Sequence, residues 1–274
     1  MVQIIAEIGI NHNGDLSLCK ELITIAKNAG CNYVKIQKRN PEKCVPLSQR
    51  DILRQTPWGE MTYLDYKKRL EFSPAQIQEL IQFSQSVGIE FFASVWDLDS
   101  VQVMSDLGCR IGKIPSALIT NHELCQFARQ KFPFLIVSTG MSTEEEVESA
   151  ISICQPDVIM HTNSTYPSPI EDLNLNYIIW LQQKYGSFAS IGYSGHEYGL
   201  VTTFAAVGMG AEWIERHITK DRTMWGSDQL SSIEPVGLVK LVKGIRDIEQ
   251  ARQYPVGPRK QFETELLKMR SLRG

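Results

Sequence analysis

The sequence lacks a large excess of charge of one sign. Its 274 residues include 28 lysines and arginines against 31 aspartates and glutamates, a formal net charge of -3 at pH 7. This balance provides no broad basic surface, so we expect no nucleic-acid partner. No apolar run reaches the roughly 18 residues that cross a bilayer, so we expect no membrane partner. Residues 1–14 lack the basic segment and cleavage site of a signal peptide.

Paired cysteine motifs are also missing. The six cysteines are scattered, mostly in apolar surroundings, and no two of them have Cys-x-x-Cys spacing. In a chain of this length the pattern is typical of reduced structural thiols rather than of a disulfide framework. Together these absences favour a cytoplasmic enzyme as the default class of protein.

Short β-branched runs alternate with longer runs of helical periodicity. The strand candidates are residues 3–9, 32–37, 89–95, 110–115, 134–139, 157–162, 190–194 and 213–218. The helical runs that follow them lie at about 16–29, 74–87, 98–107, 121–130, 143–153, 173–185, 199–209 and 236–252. Eight such units commonly close into an α/β barrel, so we predict a single-domain (β/α)8 TIM barrel over residues 1–274. A doubly wound sheet is the alternative, but the first turn, GINHNG, lacks its GxGxxG motif.

Two segments depart from the alternation. Residues 38–72 form an insertion that is rich in aromatic and charged residues. An insertion after a barrel strand lies over the active face, so this segment is expected to be either a lid or a solvated loop with a short helix. The charged tail, residues 257–274, is predicted to form a terminal helix.

Polar side chains collect at the carboxyl ends of the strands, where barrels of this kind have their active sites. Lys35 and Lys113 project from otherwise apolar strands, and a buried ammonium group needs an anion. The same ends carry the hydroxyls of Ser94, Ser116, Ser138 and Ser194. These groups together suit a ligand with a phosphate, or with a phosphate and a carboxylate. The alternative is that each lysine pairs with a barrel glutamate such as Glu7.

His196 and His217 stand at the ends of two neighbouring strands. Neighbouring strands lie about 5 Å apart, so the two imidazoles could bind one metal ion. A site with two histidines leaves positions open for substrate and water, which is typical of a Lewis-acid metal rather than of a closed structural site. The alternative is that both histidines are simply packed or hydrogen-bonded.

The strand ends carry eight segments that resemble the sialic acid synthase family. They are AEIGINHNG (6–14), VKIQ (34–37), FFASVWD (91–97), GKIPS (112–116), STGMS (138–142), HTNSTYPSP (161–169), GYSGHEYG (192–199) and ERHITKDR…GSDQ (215–229). They run in family order and cover nearly the whole chain. Each segment is moderately specific by itself, and the eight together are a strong indication.

The resemblance implies a TIM barrel that condenses phosphoenolpyruvate (PEP) with an aldehyde sugar to give a 2-keto-3-deoxy sugar acid and phosphate. It implies a homo-oligomer and a divalent metal, Mn²⁺ with Mg²⁺ or Co²⁺ as alternatives, held by His196 and His217. The catalytic positions would be Glu7, Lys35, Lys113, His196 and His217. The PEP positions would be Lys35, Ser94, Lys113, Ser116, Ser138, Ser164 and Ser194. The acceptor-sugar positions would be Gln37, Tyr166, Asp228 and Gln229.

Four departures from the family pattern concern the acceptor sugar. The sequence stops at residue 274, before the antifreeze-like C-terminal domain of the family, so we expect a short form in which that domain's sugar contact is missing or replaced. Leu118 stands where a glutamate is frequent, Gly195 where an aspartate is usual, and Gln229 where a histidine is often seen. These changes predict an unusual acceptor, such as an aldose without an N-acyl group or with a phosphate.

Two other functions remain as alternatives. A metal-dependent aldolase or lyase acting on a pyruvate-type sugar acid would need the same histidines but no phosphate site. A non-catalytic descendant that only binds sugar would be expected to have lost the lysines and histidines, and both pairs are present.

Overall fold

The structure is a computed structural model that describes residues 1–254, 268 and 270–272. Most of the charged tail, and with it the predicted terminal helix at 257–274, lies outside the described residues. Within them, no helix has the length and apolar character that a membrane crossing requires.

The described part of the chain contains ten strands. In chain order they are β1 (Gln3–Gly9), β2 (Tyr33–Lys38), β3 (Leu53–Thr56), β4 (Gly59–Thr62), β5 (Glu90–Val95), β6 (Ile111–Ile114), β7 (Phe134–Ser138), β8 (Val158–Thr162), β9 (Ser190–Gly195) and β10 (Trp213–His217). Eight of them close into a parallel barrel in the order β1-β10-β9-β8-β7-β6-β5-β2. The predicted (β/α)8 barrel is confirmed.

Helices follow the barrel strands, as the alternation predicted. They are α1 (Leu16–Ala29), α2 (Pro41–Cys44), α3 (Tyr63–Leu70), α4 (Pro74–Val87), α5 (Leu98–Asp106), α6 (His122–Lys131), α7 (Glu144–Cys154), α8 (Asn176–Tyr185), α9 (Val201–Gly208) and α10 (Pro235–Ala251). Local chemistry fixes several ends. Ser73 and Thr143 each form a capping box with the glutamine or glutamate three residues on, and Gly30 ends α1 in the left-handed conformation.

An apolar layer fills the barrel interior near the amino ends of the strands. It consists of Ile5, Phe92, Ile111, Ile136, Val158, Met160 and Trp213. Side chains two positions apart on a strand point to the same face. The next inward residues are therefore Glu7, Ser94, Lys113, Ser138, Thr162 and Glu215, so the polar site rests directly on an apolar floor.

The insertion at 38–72 is a folded element rather than an open loop. It contains α2, the antiparallel hairpin β3–β4 and α3. Tyr66 and Leu70 of α3 form a small apolar cluster with Ile10, which lies just after β1. The packing is close, since a Cβ added to Gly14 would lie 2.2 Å from the carbonyl oxygen of Arg69. The insertion is thus anchored on the carboxyl-end face of the barrel, and its action as a lid stays a prediction.

Candidate active site

Two buried lysine–glutamate pairs form the base of the site. The Nζ of Lys35 lies 2.7 Å from Oε2 of Glu7, its register partner on β1, and donates to Ser94 Oγ at 2.5 Å. Across the barrel, the Nζ of Lys113 lies 2.7 Å from Oε1 of Glu215. Lys35 Nζ is a further 3.6 Å from the same Oε1. The alternative in which each lysine pairs with a barrel glutamate is therefore the arrangement in this structure.

The two carboxyl groups differ in their electrostatics. Burial raises the pKa of Glu7, and the nearby Lys35 only partly opposes this. Burial would also raise the pKa of Glu215, but Lys113 and Lys35 together outweigh it and lower that pKa to about 2. Carboxyl groups whose environments push their pKa values apart take different roles in a reaction. Glu215 is the fixed anion, and Glu7, with its raised pKa, is the group better suited to exchange a proton.

His196 and His217 are close together at the rim of the barrel, with ring centroids 5.5 Å apart. The Nδ1 of His196 lies 2.7 Å from the carbonyl oxygen of Asn163, which can only accept, so Nδ1 carries the proton and Nε2 keeps a lone pair. Burial lowers the pKa of His196 to about 3, so its ring is neutral. The Nδ1 of His217 is buried, has no hydrogen-bond partner in the described part of the chain and lies 3.9 Å from Asp228 Oδ2.

These two imidazoles fit a metal that takes its remaining ligands from substrate and water. A hydrogen bond from the far ring nitrogen to a carbonyl, as in His196, is the usual way that a protein orients a ligating histidine. No group of three or more His, Cys, Asp or Glu side chains suited to a metal occurs among the described residues. The donor set is therefore open rather than a closed structural site.

Serine hydroxyls surround the backbone at Gly140, just after β7. The amide of Gly140 donates to Ser116 Oγ at 3.0 Å, and a Cβ added there would lie 2.3 Å from Ser164 Oγ. The hydroxyl of Ser138 is buried and has no hydrogen-bond partner among the described residues. A glycine is needed at 140 so that the hydroxyls of Ser116 and Ser164 can approach the same small volume. Ser138 lines the same cavity, and we refer to Ser116, Ser138 and Ser164 as the serine cradle.

One cavity of about 140 Å³ joins these groups. It is lined by twelve of the residues singled out in the sequence: Glu7, Lys35, Gln37, Ser94, Lys113, Ser116, Ser138, Ser164, Tyr166, Ser194, His196 and His217. The ring of Tyr166 packs against His196 at a tilt of 37°, with ring centroids 4.0 Å apart. Six further residues complete the lining: Trp96, Pro115, Ala117, Met141, Thr162 and Glu215. Glu215 could have been found from its position two residues before His217, on the same inward face of β10.

Gln229 does not line this cavity, which corrects its assignment as a sugar contact. Its side chain is fully buried. Its amide nitrogen donates to the carbonyl oxygens of Trp225 and Asn11, and its oxygen accepts from the Thr219 hydroxyl. All of its polar atoms are used to hold the loop after β10. Gln229 therefore shapes the loop, and its neighbour Asp228 is the residue of the pair that lies next to His217.

Two other positions linked to the acceptor sugar also face away from the cavity. Leu118 packs against the main hydrophobic core between strands and helices. A Cβ added to Gly195 would lie 2.6 Å from Oε2 of Glu197 and 2.8 Å from the ring of Tyr193. The absence of a side chain at 195 therefore makes room for a buried carboxylate behind the histidines, and it does not change the wall of the cavity.

A closed parallel barrel with a polar, lysine-lined cavity at the carboxyl ends of its strands places the protein among the (β/α)8-barrel enzymes. Comparison with known protein families shows to which family of barrel enzymes the chain belongs. The NeuB family matches residues 22–256. The chain belongs to the NeuB family, which confirms the family predicted from the eight segments.

Named relatives agree with this assignment. The chain is 35% identical over 257 residues to N,N'-diacetyllegionaminic acid synthase of Campylobacter jejuni, covering 90% of this chain and 76% of the relative. It is 36% identical over 261 residues to N-acetylneuraminate-9-phosphate synthase of Homo sapiens, covering 92% and 71%. The crystal structure of N-acetylneuraminic acid synthetase from Leptospira borgpetersenii, in complex with citrate, superposes with a TM-score of 0.86 at 33% identity, covering 99% and 91%. The chain is an enzyme of this acid synthase type.

Proposed function

We propose that the protein condenses PEP with an aldose to give a 2-keto-3-deoxy sugar acid and phosphate. The observation that carries this proposal is the meeting, in one cavity, of two buried lysines, the serine cradle and a histidine pair. The lysines and serines suit the phosphate and carboxylate of PEP, and the histidines suit a metal that activates an aldehyde. The relatives that are named as sialic and legionaminic acid synthases support the same class of product.

The lysines retain the capacity to bind an anion although each has a carboxylate partner. An ammonium group has three N–H donors. Among the described residues Lys113 donates to one acceptor, Glu215, so two of its donors remain for a ligand. The unpartnered hydroxyl of Ser138 adds another donor. PEP would therefore be held by Lys113 and the serine cradle, with Ser94 and Lys35 beside Lys113.

The reaction can be balanced with the groups in the cavity. Carbon 3 of PEP attacks the aldehyde carbon and forms the new C–C bond, and the aldehyde oxygen takes a proton. Water adds to carbon 2 and gives up a proton. The bond from carbon 2 to the bridging oxygen then breaks and phosphate leaves with the electron pair. The remaining hydroxyl gives its proton to the departing phosphate and becomes the ketone. Glu7, with its raised pKa, is the side chain suited to carry the proton from water to the new alkoxide.

His196 and His217 would hold a divalent metal, with Mn²⁺ as the first choice and Mg²⁺ or Co²⁺ as alternatives. Bound there, the metal would supply Lewis-acid polarisation of the aldehyde oxygen. Tyr166, packed against His196, would exclude water from one side of the acceptor. Asp228, beside His217, would accept hydrogen bonds from the sugar hydroxyls.

Phosphate release from PEP tests this proposal. A panel of aldoses, including mannose, N-acetylmannosamine, pentose phosphates and hexose phosphates, is mixed with PEP, Mn²⁺ and the protein. We expect phosphate and a 2-keto acid to form together with at least one aldose, and chelation to stop both. With ¹⁸O in the bridging position of PEP, we expect the label in phosphate, because the C–O bond breaks.

Two variants sharpen the test. Lys113→Met and His217→Ala should each lose most of the activity, while Lys68→Ala, which changes a half-exposed lysine paired with Glu42, should keep it. A metal-dependent aldolase would instead release pyruvate without phosphate. Failure of every aldose to release phosphate, or full activity of His217→Ala after chelation, would refute the proposal.

A further inference from the structure

A second and larger cavity lies beside the active site. Its volume is about 840 Å³, and its walls come from the β3–β4 hairpin, α3 and the loop 222–230 that follows β10. Pockets that hold small ligands usually have volumes of about 300–1,000 Å³. The active-site cavity, at about 140 Å³, is below that range. An acceptor sugar that reaches the histidines therefore needs further space, and we call this larger space the outer cavity.

The outer cavity is rich in positive charge. Arg54, Lys67 and Arg222 line it, and none of its lining residues is acidic. None of these three cations forms an ion pair within the part of the chain that the structure describes, whereas their neighbours do: Lys68 pairs with Glu42 at 2.5 Å, and Arg39 with Glu71 at 3.1 Å. The chain has more acidic than basic residues, so a cluster of three cations with no acidic residue in the cavity lining is unexpected and favours an anion-binding site.

Aromatic rings rather than carboxylates hold two of these cations in place. The guanidinium carbon of Arg54 lies 4.2 Å from the ring centroid of Tyr63, and the Nζ of Lys67 lies 5.2 Å from the same ring. Burial, followed by the charge of Arg39, lowers the pKa of Lys67 to about 8. The Nε of Arg222 donates to the carbonyl oxygen of Ser232 at 2.7 Å, which orients the guanidinium. Cations stacked on rings keep their N–H donors available for an anion.

Asp228 lies between a residue of the outer cavity, Ser227, and a residue of the active site, His217. Ser227 lines the outer cavity and donates to Oδ1 of Asp228 at 2.6 Å. The other carboxylate oxygen of Asp228 lies 3.9 Å from Nδ1 of His217. A sugar whose aldehyde end is at the histidines and whose hydroxyls meet Asp228 would therefore extend its far end into the outer cavity.

We propose that the acceptor is an aldose with a phosphate monoester at the end far from its aldehyde, and that Arg54, Lys67 and Arg222 bind this phosphate. This inference rests on the proposed condensation reaction and adds the class of acceptor to it. Three cations without carboxylate partners match a dianion, and arginine binds phosphate oxygens through paired N–H groups. The ring of Tyr63 and the half-exposed ring of Trp225 would face the sugar carbons.

Matched pairs of sugars test the inference. PEP-dependent product formation is measured with mannose and mannose 6-phosphate, and with N-acetylmannosamine and its 6-phosphate. We expect kcat/KM to be at least about 100-fold higher for the phosphorylated member of the preferred pair. Arg54→Ala and Arg222→Ala should each raise KM for that sugar by about 10- to 100-fold, the usual effect of losing a hydrogen bond to a charged group. KM for PEP should stay within about twofold.

Controls distinguish binding at this phosphate site from binding at Lys35, Lys113 and the serine cradle of the active site. Lys68→Ala is the matched control for Lys67→Ala, since the two lysines are adjacent on α3 and only Lys67 lines the outer cavity. Calorimetric binding of mannose 6-phosphate with Mn²⁺ and no PEP provides a readout that does not depend on turnover. We expect binding to weaken in Arg54→Ala and Arg222→Ala, and to be unchanged in Lys68→Ala.

The two proposals fail in different ways. If both members of each sugar pair react equally and the arginine variants behave like the parent, the reaction stands and the phosphate site is refuted. If sugar phosphate binds but Arg54→Ala and Arg222→Ala leave its affinity unchanged, the phosphate lies elsewhere and the inference is again refuted. If no aldose reacts but binding depends on both arginines, the phosphate site stands and the reaction is refuted.

Discussion

Replacing Glu197 by alanine is expected to leave Arg216 as an unpaired cation in the protein interior. The two side chains are 0% and 1% exposed. Arg216 donates through Nη1 to Glu197 Oε1 at 3.1 Å and through Nη2 to the Glu197 carbonyl oxygen at 2.5 Å. The hydroxyl of Tyr193 donates to Oε2 at 2.9 Å. Glu197 follows His196 and Arg216 precedes His217, so the pair ties together the two strand ends that carry the histidines.

The expected cost is large. Removing one partner of a buried ion pair destabilises a protein by about 3–5 kcal/mol, because the remaining charge keeps its desolvation penalty. This is a sizeable part of a typical stability of about 5–15 kcal/mol. In a chain of this size each kcal/mol lowers the melting temperature by about 2–4 °C, so we expect a loss of about 6–20 °C. Asp247→Ala, which breaks an exposed helical pair with Lys243, should cost less than about 2 °C.

A second substitution, at Gly195, is expected to restore part of the stability lost in Glu197→Ala. Gly195→Asp alone should destabilise the protein, since its new Cβ would lie 2.6 Å from Glu197 Oε2. In the double variant Gly195→Asp/Glu197→Ala, the new carboxylate can enter the space that Glu197 leaves, and Gly195 is the register partner of Arg216. We therefore expect the double variant to recover at least half of the melting temperature lost in Glu197→Ala, measured by circular dichroism for all four proteins.

Two results would count against this reasoning. A Glu197→Ala protein that melts within about 2 °C of the parent would show that Arg216 is not left uncompensated. Additive losses in the double variant would show that position 195 cannot supply the missing carboxylate.

Two further predictions follow from the site and from the buried histidines. Gly140→Ala should keep the fold but raise KM for PEP about tenfold or more, because its Cβ would lie 2.3 Å from Ser164 Oγ; an unchanged KM would contradict a role for the serine cradle in binding PEP. Burial lowers the pKa of both His12 and His196 to about 3, so these rings stay neutral while the unfolded chain takes up protons below about pH 6.5. The free energy of unfolding should therefore fall as the pH decreases from about 6.5 towards 3, by up to about 1.4 kcal/mol per pH unit for each histidine. In His12→Asn, the slope of this free energy against pH, measured by urea unfolding, should be smaller by the contribution of about one proton.

The barrel and most of its cavity were predictable because they follow from local patterns. Each barrel strand is a short apolar run, and an eight-fold alternation with helices leaves few architectures. Lys35, Lys113, His196 and His217 could be placed since strand ends of a parallel barrel meet on one face. The pairing of Lys113 with Glu215 was not predictable, because it spans the barrel and depends on closure.

The loop residues were harder to predict, because their positions depend on tertiary packing rather than on local sequence patterns. Gln229 was assigned to the acceptor from its place in a motif, but packing of the loop after β10 buries it. The hairpin of the insertion was missed because β3 and β4 are exposed on nearly all sides and show no alternation of apolar and polar residues. The role proposed for Arg54 could not be predicted from the sequence, because it depends on the hairpin that brings Arg54 into the same cavity as Arg222.

The hairpin β3–β4 forms a sheet of its own and shares no strand pairing with the barrel. Substitutions at its exposed positions therefore change no hydrogen bond of the eight-stranded sheet. A phosphate site built partly on this hairpin, as proposed above, would allow acceptor preference to change without substitutions in the barrel strands. Libraries for directed evolution would best be restricted to the exposed residues of the hairpin, because the buried Tyr66 and Gln229 hold the insertion and the loop after β10 in place.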